Sequence, residues 1–290
     1  MEPRERQAVL ILADISGYTR FMVQNQLSAV HGQIMISYLI ETILAEVDIP
    51  LTLHGIEGDA VFLSVPHPGS DAGWREALAK VRTKLIRFFE VFLAGIVRAE
   101  DTAICDCGSC HNIKELRLKI IVHTGKGVYH TIAGLNQVAG TDVILAHRLL
   151  KNSVPSREYL LMTDAAYRDV GAGMGLAFEP GEEECESLGR VKTWVHRMDT
   201  DRDRARHAMY AQPEATLVAE ARRQAREDFF GSFRAIAAEL RHPTVPAPWP
   251  SRLAFAAREV ATAPLMLLTA MRRMPELLLE KKRRRAGQTR

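Results

Sequence analysis

The chain has 290 residues, of which 47% are hydrophobic and 25% are charged, with 38 Lys+Arg against 35 Asp+Glu. These values are ordinary for a soluble globular protein, and they exclude wholesale disorder, collagen-like repeats and a disulfide scaffold. No uncharged stretch reaches the ~20 apolar residues of a membrane-spanning helix, so we expect a cytoplasmic protein. Residues 200–290 hold 18 Lys+Arg and 10 Asp+Glu, whereas the rest of the chain is net acidic. This asymmetry predicts two parts, with a boundary after residue 199.

The first hundred residues alternate strands with long helices. Residues 8–13 form a continuous apolar run, which is typical of a central buried strand. Apolar residues then recur at helical spacing from Arg20 to Val47. Two strands follow around the glycine-containing turn at 55–60, which predicts a hairpin. A second amphipathic helix is predicted over 71–97.

The next hundred residues continue this mixed pattern. We predict a strand over 116–123, a turn at 124–127 and a further strand over 128–132. A helix over 143–151 and strands over 159–162 and 191–195 complete the series. Because most strand pairs are joined by hairpins, the order predicts an α+β fold with a largely antiparallel sheet and helices packed across it.

Residues 200–290 are predicted to form a helical extension. A proline-rich linker occupies 242–250, and Pro264 and Pro275 are expected to interrupt the helical segment after it. The extension ends in five consecutive basic residues at 281–285. Three interpretations remain open: peripheral contact with an anionic membrane, packing on the protein's own acidic body or a partner, and a solvated helix. Binding to nucleic acid is not favoured, since basic residues do not alternate with aromatic ones.

Two carboxylates are the first candidates for chemistry. Asp14 follows the buried strand and Asp59 lies at the tip of the hairpin, so both belong to one edge of the sheet. Converging carboxylates are ligands for Mg²⁺ or Mn²⁺, and a two-metal site can stabilise phosphoryl or nucleotidyl transfer. The segment after Asp14 is predicted to open a helix, whose free backbone N–H groups could receive phosphate; it comprises Ile15, Ser16, Gly17, Tyr18 and Thr19. The alternative is that Asp14 caps this helix and Asp59 only makes a turn.

A cysteine-rich segment offers a second kind of site. Cys105, Cys107, Cys110 and His111 supply three thiols and an imidazole within seven residues, enough ligands for tetrahedral Zn²⁺. Cys185 or a dimer partner could replace one ligand. A redox-sensitive thiol cluster and inert loop thiols remain alternatives.

Four motifs in this order resemble the catalytic domains of class III nucleotidyl cyclases, the adenylate and guanylate cyclases. They are Ala13–Thr19, Glu57–Phe62, Val122–Gly125 and Gly140–Leu150. The resemblance spans roughly residues 8–197 and implies a ferredoxin-like cyclase-type domain that works as a homodimer. It also implies that Asp14 and Asp59 bind two metals, that Arg148 steadies the triphosphate of a nucleoside triphosphate substrate, and that Gln137 contributes to base recognition. The run 146–152 is similar to an uncharacterised bacterial branch of cyclase-like proteins.

Two departures from the cyclase pattern qualify the expected activity. Gly55 stands where the family has a purine-recognising lysine, and Ile144 stands where it has the asparagine that stabilises the transition state. Since each missing donor typically costs ~10²–10³ in rate, we expect a metal- and nucleotide-binding signalling domain with weak or absent cyclase activity. An active homodimeric cyclase and a non-catalytic, metal-containing interaction protein are the alternatives.

Overall fold

The computed structural model describes residues 3–26, 29–103, 107–132, 135–226 and 249–288. The chain divides into two compact units, each assembled from separate segments. The first unit comprises Met1–Tyr18, Ile40–Leu93 and Leu116–Thr200, and the second comprises Thr19–Leu39, Ala94–Glu115 and Asp201–Arg290. The division that the sequence predicts, a domain over 1–199 and an extension over 200–290, stays a prediction.

Within the described residues, an eight-stranded sheet forms the frame of the first unit. The strands are β1 (Arg4–Ser16), β2 (Thr52–Glu57), β3 (Ala60–Pro66), β4 (Arg117–Ile132), β5 (Leu135–Ala139), β6 (Tyr159–Thr163), β7 (Glu179–Cys185) and β8 (Gly189–Arg197). They lie in the order β2-β3-β1-β4-β6-β8-β7, and β5 pairs with β4 beside this path. The pair β4–β6 is parallel and the other described pairs are antiparallel. The predicted α+β class is therefore confirmed.

The core of the first unit follows from the apolar run in β1. Residues 8–13 are each at most 1% exposed, because β3 and β4 flank the strand on both sides and its two faces are covered. One face packs in a cluster with helix α5 (Thr141–Arg148) and strands β6 and β8. This cluster fixes the end of β1 from which Asp14 projects.

The helices before and after β2 and β3 differ in part from the prediction. The single helix expected over Arg20–Val47 is wrong: the structure has α1 (Tyr18–Gln24) and α2 (Ala29–Leu44). The Asn25 side chain donates to the carbonyl of Phe21 at 2.7 Å, and such a local bond competes with the helical pattern and ends α1. The second predicted helix is present as α3 (Asp71–Thr102).

The turn predicted at Thr124–Gly127 is also wrong, because β4 continues through it and stays paired with β1. Gly125 and Gly127 do not form a turn; they let neighbouring side chains approach the strand closely. A Cβ on Gly125 would collide with the Asp142 carboxylate, and a Cβ on Gly127 would lie 2.5 Å from Val138 Cγ2. Glycine inside a strand often marks such a close approach.

Two strands were not predicted. The sequence of β7 is Glu-Pro-Gly-Glu-Glu-Glu-Cys, which lacks apolar alternation because the strand lies at the edge of the sheet and pairs only with β8 on the path. Charged residues and proline are typical of edge strands. Strand β5 is five residues long and forms a hairpin with the end of β4.

In the second unit, the described residues are helical for the most part. Helices α4 (Gly108–Asn112), α7 (Arg202–Ala211), α8 (214–226) and α9 (Trp249–Gln288) join α1 and parts of α2 and α3. Helix α6 (Asp164–Asp169) belongs to the first unit. The predicted interruptions at Pro264 and Pro275 are wrong, since α9 is continuous through both. Around Pro275, Met274 and Leu278 are buried in an apolar cluster with α7 and α8, and this packing offsets the hydrogen bond that proline removes. Most of the predicted linker, 242–248, lies outside the described residues.

The basic end of α9 is bound within the same unit. The Asp101 carboxylate accepts from Tyr210 Oη at 2.8 Å and from Arg206 Nε at 3.1 Å, and Lys281 Nζ lies 3.4 Å from its other oxygen. Lys282 Nζ donates to the carbonyl of Gln212 at 2.6 Å. Lys281 therefore contacts Asp101 of the predicted acidic body, whereas Lys282 contacts the extension itself. No helix among the described residues is long and apolar enough to cross a membrane.

Candidate functional site

The first unit brings Asp14 and Asp59 together. Asp14 lies near the end of β1, and Asp59 lies in the turn between β2 and β3, where Gly58 takes a φ of +66°. Because β1 pairs with β3 in the register Ala13↔Val61, the tip of the hairpin reaches the end of β1. Asp59 accepts from the backbone N–H of Ile15 at 3.2 Å, and it lies close enough to Asp14 for the charge of that residue to raise its pKa.

The electrostatics at Asp59 are those of a partly buried carboxyl group beside a like charge. Burial raises the pKa of Asp59 to about 7, and the neighbouring charge of Asp14 acts in the same direction. Like charges at close range cannot both ionise without cost, and this repulsion adds to the larger effect of burial. Two close carboxyl groups of this kind are the donor set that hard divalent cations such as Mg²⁺ and Mn²⁺ prefer.

Lys119 is a third member of the site that was not predicted. It lies opposite Asp14 on β4, and its Nζ is 2.9 Å from Asp14 Oδ2. Both side chains are less than one-fifth exposed. Nζ also donates to the carbonyl of Leu150 at 3.0 Å. The lysine therefore balances one negative charge, and only the register of β1 with β4 could have revealed it.

The segment after Asp14 differs from the expected phosphate loop. The Ile15 N–H donates to Asp59 and is not free, so that part of the prediction is wrong. Ile15 and Ser16 continue the strand with buried side chains, and the helix begins only at Tyr18. Thr19 is exposed.

A second unpredicted cation lies beside this segment. Gly17 has a φ of +94°, and a Cβ there would collide with the Arg157 guanidinium. Nη2 of Arg157 donates to the carbonyl of Ser16 at 3.4 Å. The glycine of the first motif therefore serves both a left-handed backbone and the close approach of an arginine.

The other residues named for the nucleotide have partners other than the two carboxylates. Arg148 ends α5 with a half-exposed side chain and pairs with Glu186 at 3.0 Å. Gln137 is on β5, opposite His130. Among the described residues, neither has a hydrogen bond or ion pair with Asp14 or Asp59. His147 does approach the hairpin, since its Nδ1 is 3.6 Å from a Glu57 carboxylate oxygen.

The two residues that depart from the cyclase pattern, Gly55 and Ile144, both lie in the part of the chain that the structure describes. Gly55 lies at an irregularity in the β2–β3 pairing, and a Cβ built on it would meet nothing within 4 Å. Ile144 projects from α5 with 54% of its surface exposed. Neither position supplies a side-chain donor.

The cysteine-rich segment forms a cluster in the second unit, with a ligand set different from the predicted one. His31, Cys107 and Cys110 have their ligand atoms within 4.8 Å of one another. His111 is not a member of this group, and Cys105 lies outside the described residues. His31 was missed because it precedes the segment by 76 residues. The predicted substitute Cys185 is buried in the first unit.

Comparisons of the sequence with known proteins find one family and one relative. Residues 36–159 match a family described as "Protein of unknown function (DUF2652)". Over 143 residues the chain is 31% identical to "Uncharacterized protein Rv2561/Rv2562" of Mycobacterium tuberculosis. That match covers 49% of this chain and 64% of the relative, so the chain spans a little under two thirds of its length.

Solved structures show the same architecture. The adenylyl cyclase CyaB from P. aeruginosa superimposes with a TM-score of 0.50 at 14% identity, over 70% of this chain and 99% of the cyclase. The guanylyl cyclase Cya2 gives 0.51 at 14% identity, over 68% and 94%. The chain therefore has the fold of class III adenylyl and guanylyl cyclase catalytic domains, which confirms the resemblance of the motifs as one of fold.

Proposed function

We propose that this chain is a divergent class III cyclase homology domain that binds a nucleoside triphosphate with Mg²⁺ or Mn²⁺ and acts in signalling, with weak or absent cyclase activity. The observation that carries the proposal is the close approach of two carboxyl groups, Asp14 and Asp59, where the tip of the β2–β3 hairpin meets the end of β1 in a cyclase-type sheet.

The pair has the chemistry of a cation site. Asp14 and Asp59 would hold the ion, which would neutralise phosphate charge and act as a Lewis acid when bound. Lys119 already neutralises Asp14 in part, so its ammonium group competes with any cation for that carboxylate. Ionisation of Asp59 frees a second ligand.

Cationic groups for the triphosphate are also at hand. Arg148 forms an exposed ion pair with Glu186, which is worth less than about 1 kcal/mol, so phosphate can replace the carboxylate. Gln137 is proposed to contribute to base recognition, as the resemblance implies. Arg157 fixes the backbone at Ser16 and Gly17, and it thereby orients the segment that follows Asp14.

Cyclisation is proposed to be weak because two donors are missing. Gly55 presents empty space where the family recognises purine, and Ile144 presents a hydrocarbon where the transition state needs a hydrogen bond. Either loss costs ~10²–10³ in rate. The second candidate, an active homodimeric adenylate or guanylate cyclase, needs substitutes for both donors.

The remaining proposals concern assembly and location. Homodimerisation is proposed from the resemblance, and a cytoplasmic location is proposed from the hydropathy of the sequence. Contact with an anionic membrane is proposed only through the exposed Arg283 and Arg284, because Lys281 and Lys282 are held by the chain itself. In the alternative of a non-catalytic interaction protein, the acidic pair would bind no nucleotide. Zn²⁺ has no part in the proposed nucleotide chemistry, since its candidate ligands lie in the second unit.

The test is calorimetric titration of the full chain with ATP and with GTP, in Mn²⁺ or Mg²⁺, with products resolved by chromatography. We expect binding that is weakened at least about tenfold by Asp59→Asn, because the site loses a charged ligand. Asp71→Asn, which changes an exposed acid at the start of α3, is the matched control and should bind as the wild type does. Cyclic product should be absent or form at a trace rate.

Two results would change the assignment. Robust turnover that Asp14→Asn abolishes would establish the active cyclase instead. Failure of the wild type to bind any nucleoside triphosphate with either metal would leave the interaction protein as the better description.

A further inference from the structure

The second unit contains a cluster of soft ligands that the proposed nucleotide chemistry does not use. His31 lies in the first turn of α2, Cys107 immediately precedes α4, and Cys110 lies within α4. Cys107 and Cys110 have the Cys-x-x-Cys spacing that is common in zinc sites. From these residues we infer a site for one Zn²⁺ ion, bound by the imidazole of His31 and the thiolates of Cys107 and Cys110.

The two distances from the thiol sulfurs to His31 Nδ1 fit a tetrahedral ion. With Zn–S near 2.3 Å and Zn–N near 2.0–2.1 Å, the ligand atoms of a tetrahedral site are about 3.5–3.8 Å apart. Cys107 Sγ is 3.3 Å from His31 Nδ1, and Cys110 Sγ is 3.9 Å from the same nitrogen. Both edges are therefore within about 0.4 Å of the required length, and small side-chain rotations reach it.

The backbone around the cluster is arranged for close approach of α2 and α4. Gly32 follows His31, and a Cβ there would lie 3.1 Å from Ser109 Oγ, which is itself buried. On the other side of α4, Asn112 Nδ2 donates to Asn25 Oδ1 at 3.1 Å. A Cβ on Gly108 would press against that same oxygen at 2.5 Å. Two glycines and a buried asparagine thus hold the thiols beside the imidazole.

The ligand chemistry selects the metal. Thiolate and imidazole are soft or borderline donors and favour Zn²⁺ over Mg²⁺ or Ca²⁺, which require oxygen. Three protein ligands leave a fourth position for water or another thiol. The ion would tie α2 to a segment 76 residues later in the chain, within one compact unit.

The test measures zinc in the full chain purified with a non-thiol reductant and without chelators. We expect about one equivalent in the wild type, and less than about a tenth in His31→Gln, Cys107→Ser or Cys110→Ser. The matched controls are His111→Gln, which changes the neighbouring histidine, and Cys185→Ser, which changes a buried thiol of the first unit; both should keep the metal. Asp59→Asn should also keep it, which separates this site from nucleotide binding.

A second measurement uses the wild type alone, so it tests the site even where a variant fails to fold. Replacing zinc with Co²⁺ in the wild type should give intense visible bands and a thiolate charge-transfer band, as expected for a tetrahedral sulfur-containing site. Weak octahedral bands without charge transfer would overturn the inference. So would a metal-free wild type with a Cys107–Cys110 disulfide, or zinc that is lost in His111→Gln and kept in His31→Gln.

Discussion

Replacing Lys119 with methionine isolates the charge balance at the carboxyl pair. The change keeps most of the side-chain length but removes the ammonium group that lies 2.9 Å from Asp14 and also donates to the carbonyl of Leu150. In the metal-free protein, Asp14 and Asp59 then face each other without a compensating cation. We expect the variant to be less stable than the wild type in chelator, and to regain more stability from added Mg²⁺.

The magnitude follows from the distance and the burial. Two unit charges 2.9 Å apart attract by about 6 kcal/mol at an effective dielectric constant of about 20, before desolvation is subtracted. Breaking a fully buried pair costs about 3–5 kcal/mol, and these side chains retain 18% and 16% exposure. We therefore expect a loss of about 2–3 kcal/mol in the free energy of unfolding.

The assay is urea unfolding in chelator and in millimolar Mg²⁺, at a pH above the pKa of Asp59. Lys126→Met is the matched control: it removes a lysine of the same strand whose pair with Glu5 is 3.0 Å long but mostly exposed. The control should lose less than about 1 kcal/mol and show no extra response to Mg²⁺. Mg²⁺ should stabilise Lys119→Met by at least about 1 kcal/mol more than the wild type. Equal Mg²⁺ responses of Lys119→Met and wild type would refute competition between the lysine and a cation.

Two further predictions concern the backbone after Asp14 and the β2–β3 hairpin. Gly17→Ala should cost more stability than Gly58→Ala in thermal or urea unfolding, because both have positive φ but only at Gly17 must the Arg157 guanidinium move to make room for the Cβ; equal losses would contradict that packing. Burial lowers the pKa of His54 from its usual 6.5, so the unfolded chain binds the proton more readily. The stability that the fold gains from holding His54 neutral is fully present above pH 6.5, and it is lost as the pH falls through the lowered pKa. In unfolding measured against pH, His54→Gln should therefore lose less stability than the wild type between pH 6.5 and about 5; identical profiles would contradict the assignment.

The parts of the fold that could be predicted are those with a local signal. The apolar run at 8–13 indicated β1, and the glycines around Asp59 indicated its hairpin, so both carboxylates were assigned to one edge of the sheet. The positions at which helices break and strands end could not be predicted as well from the sequence. Asn25 ends α1 through a side-chain bond, and the glycines of β4 serve contacts with α5 and β5 that no local pattern contains.

The residues missed at the candidate sites are those placed by register or by tertiary contact. Lys119 faces Asp14 only because β1 and β4 pair in one particular register. His31 joins Cys107 and Cys110 only because α2 and α4 approach each other at Gly32. Proximity along the sequence favoured His111 instead. Composition and spacing thus predict which chemistry a segment can offer, while the partners of that segment depend on the completed fold.

The most direct test of the central claim is the binding of Mn²⁺ to the full chain without added nucleotide, measured by the loss of the free-ion signal in electron paramagnetic resonance. The wild type and Asp71→Asn should bind Mn²⁺ equally well. Asp14→Asn and Asp59→Asn should each weaken binding by at least about tenfold, because each removes an oxygen ligand from the shared pair. Unchanged Mn²⁺ affinity in both variants would contradict a cation site at these carboxylates and, with it, the proposed nucleotide-binding function.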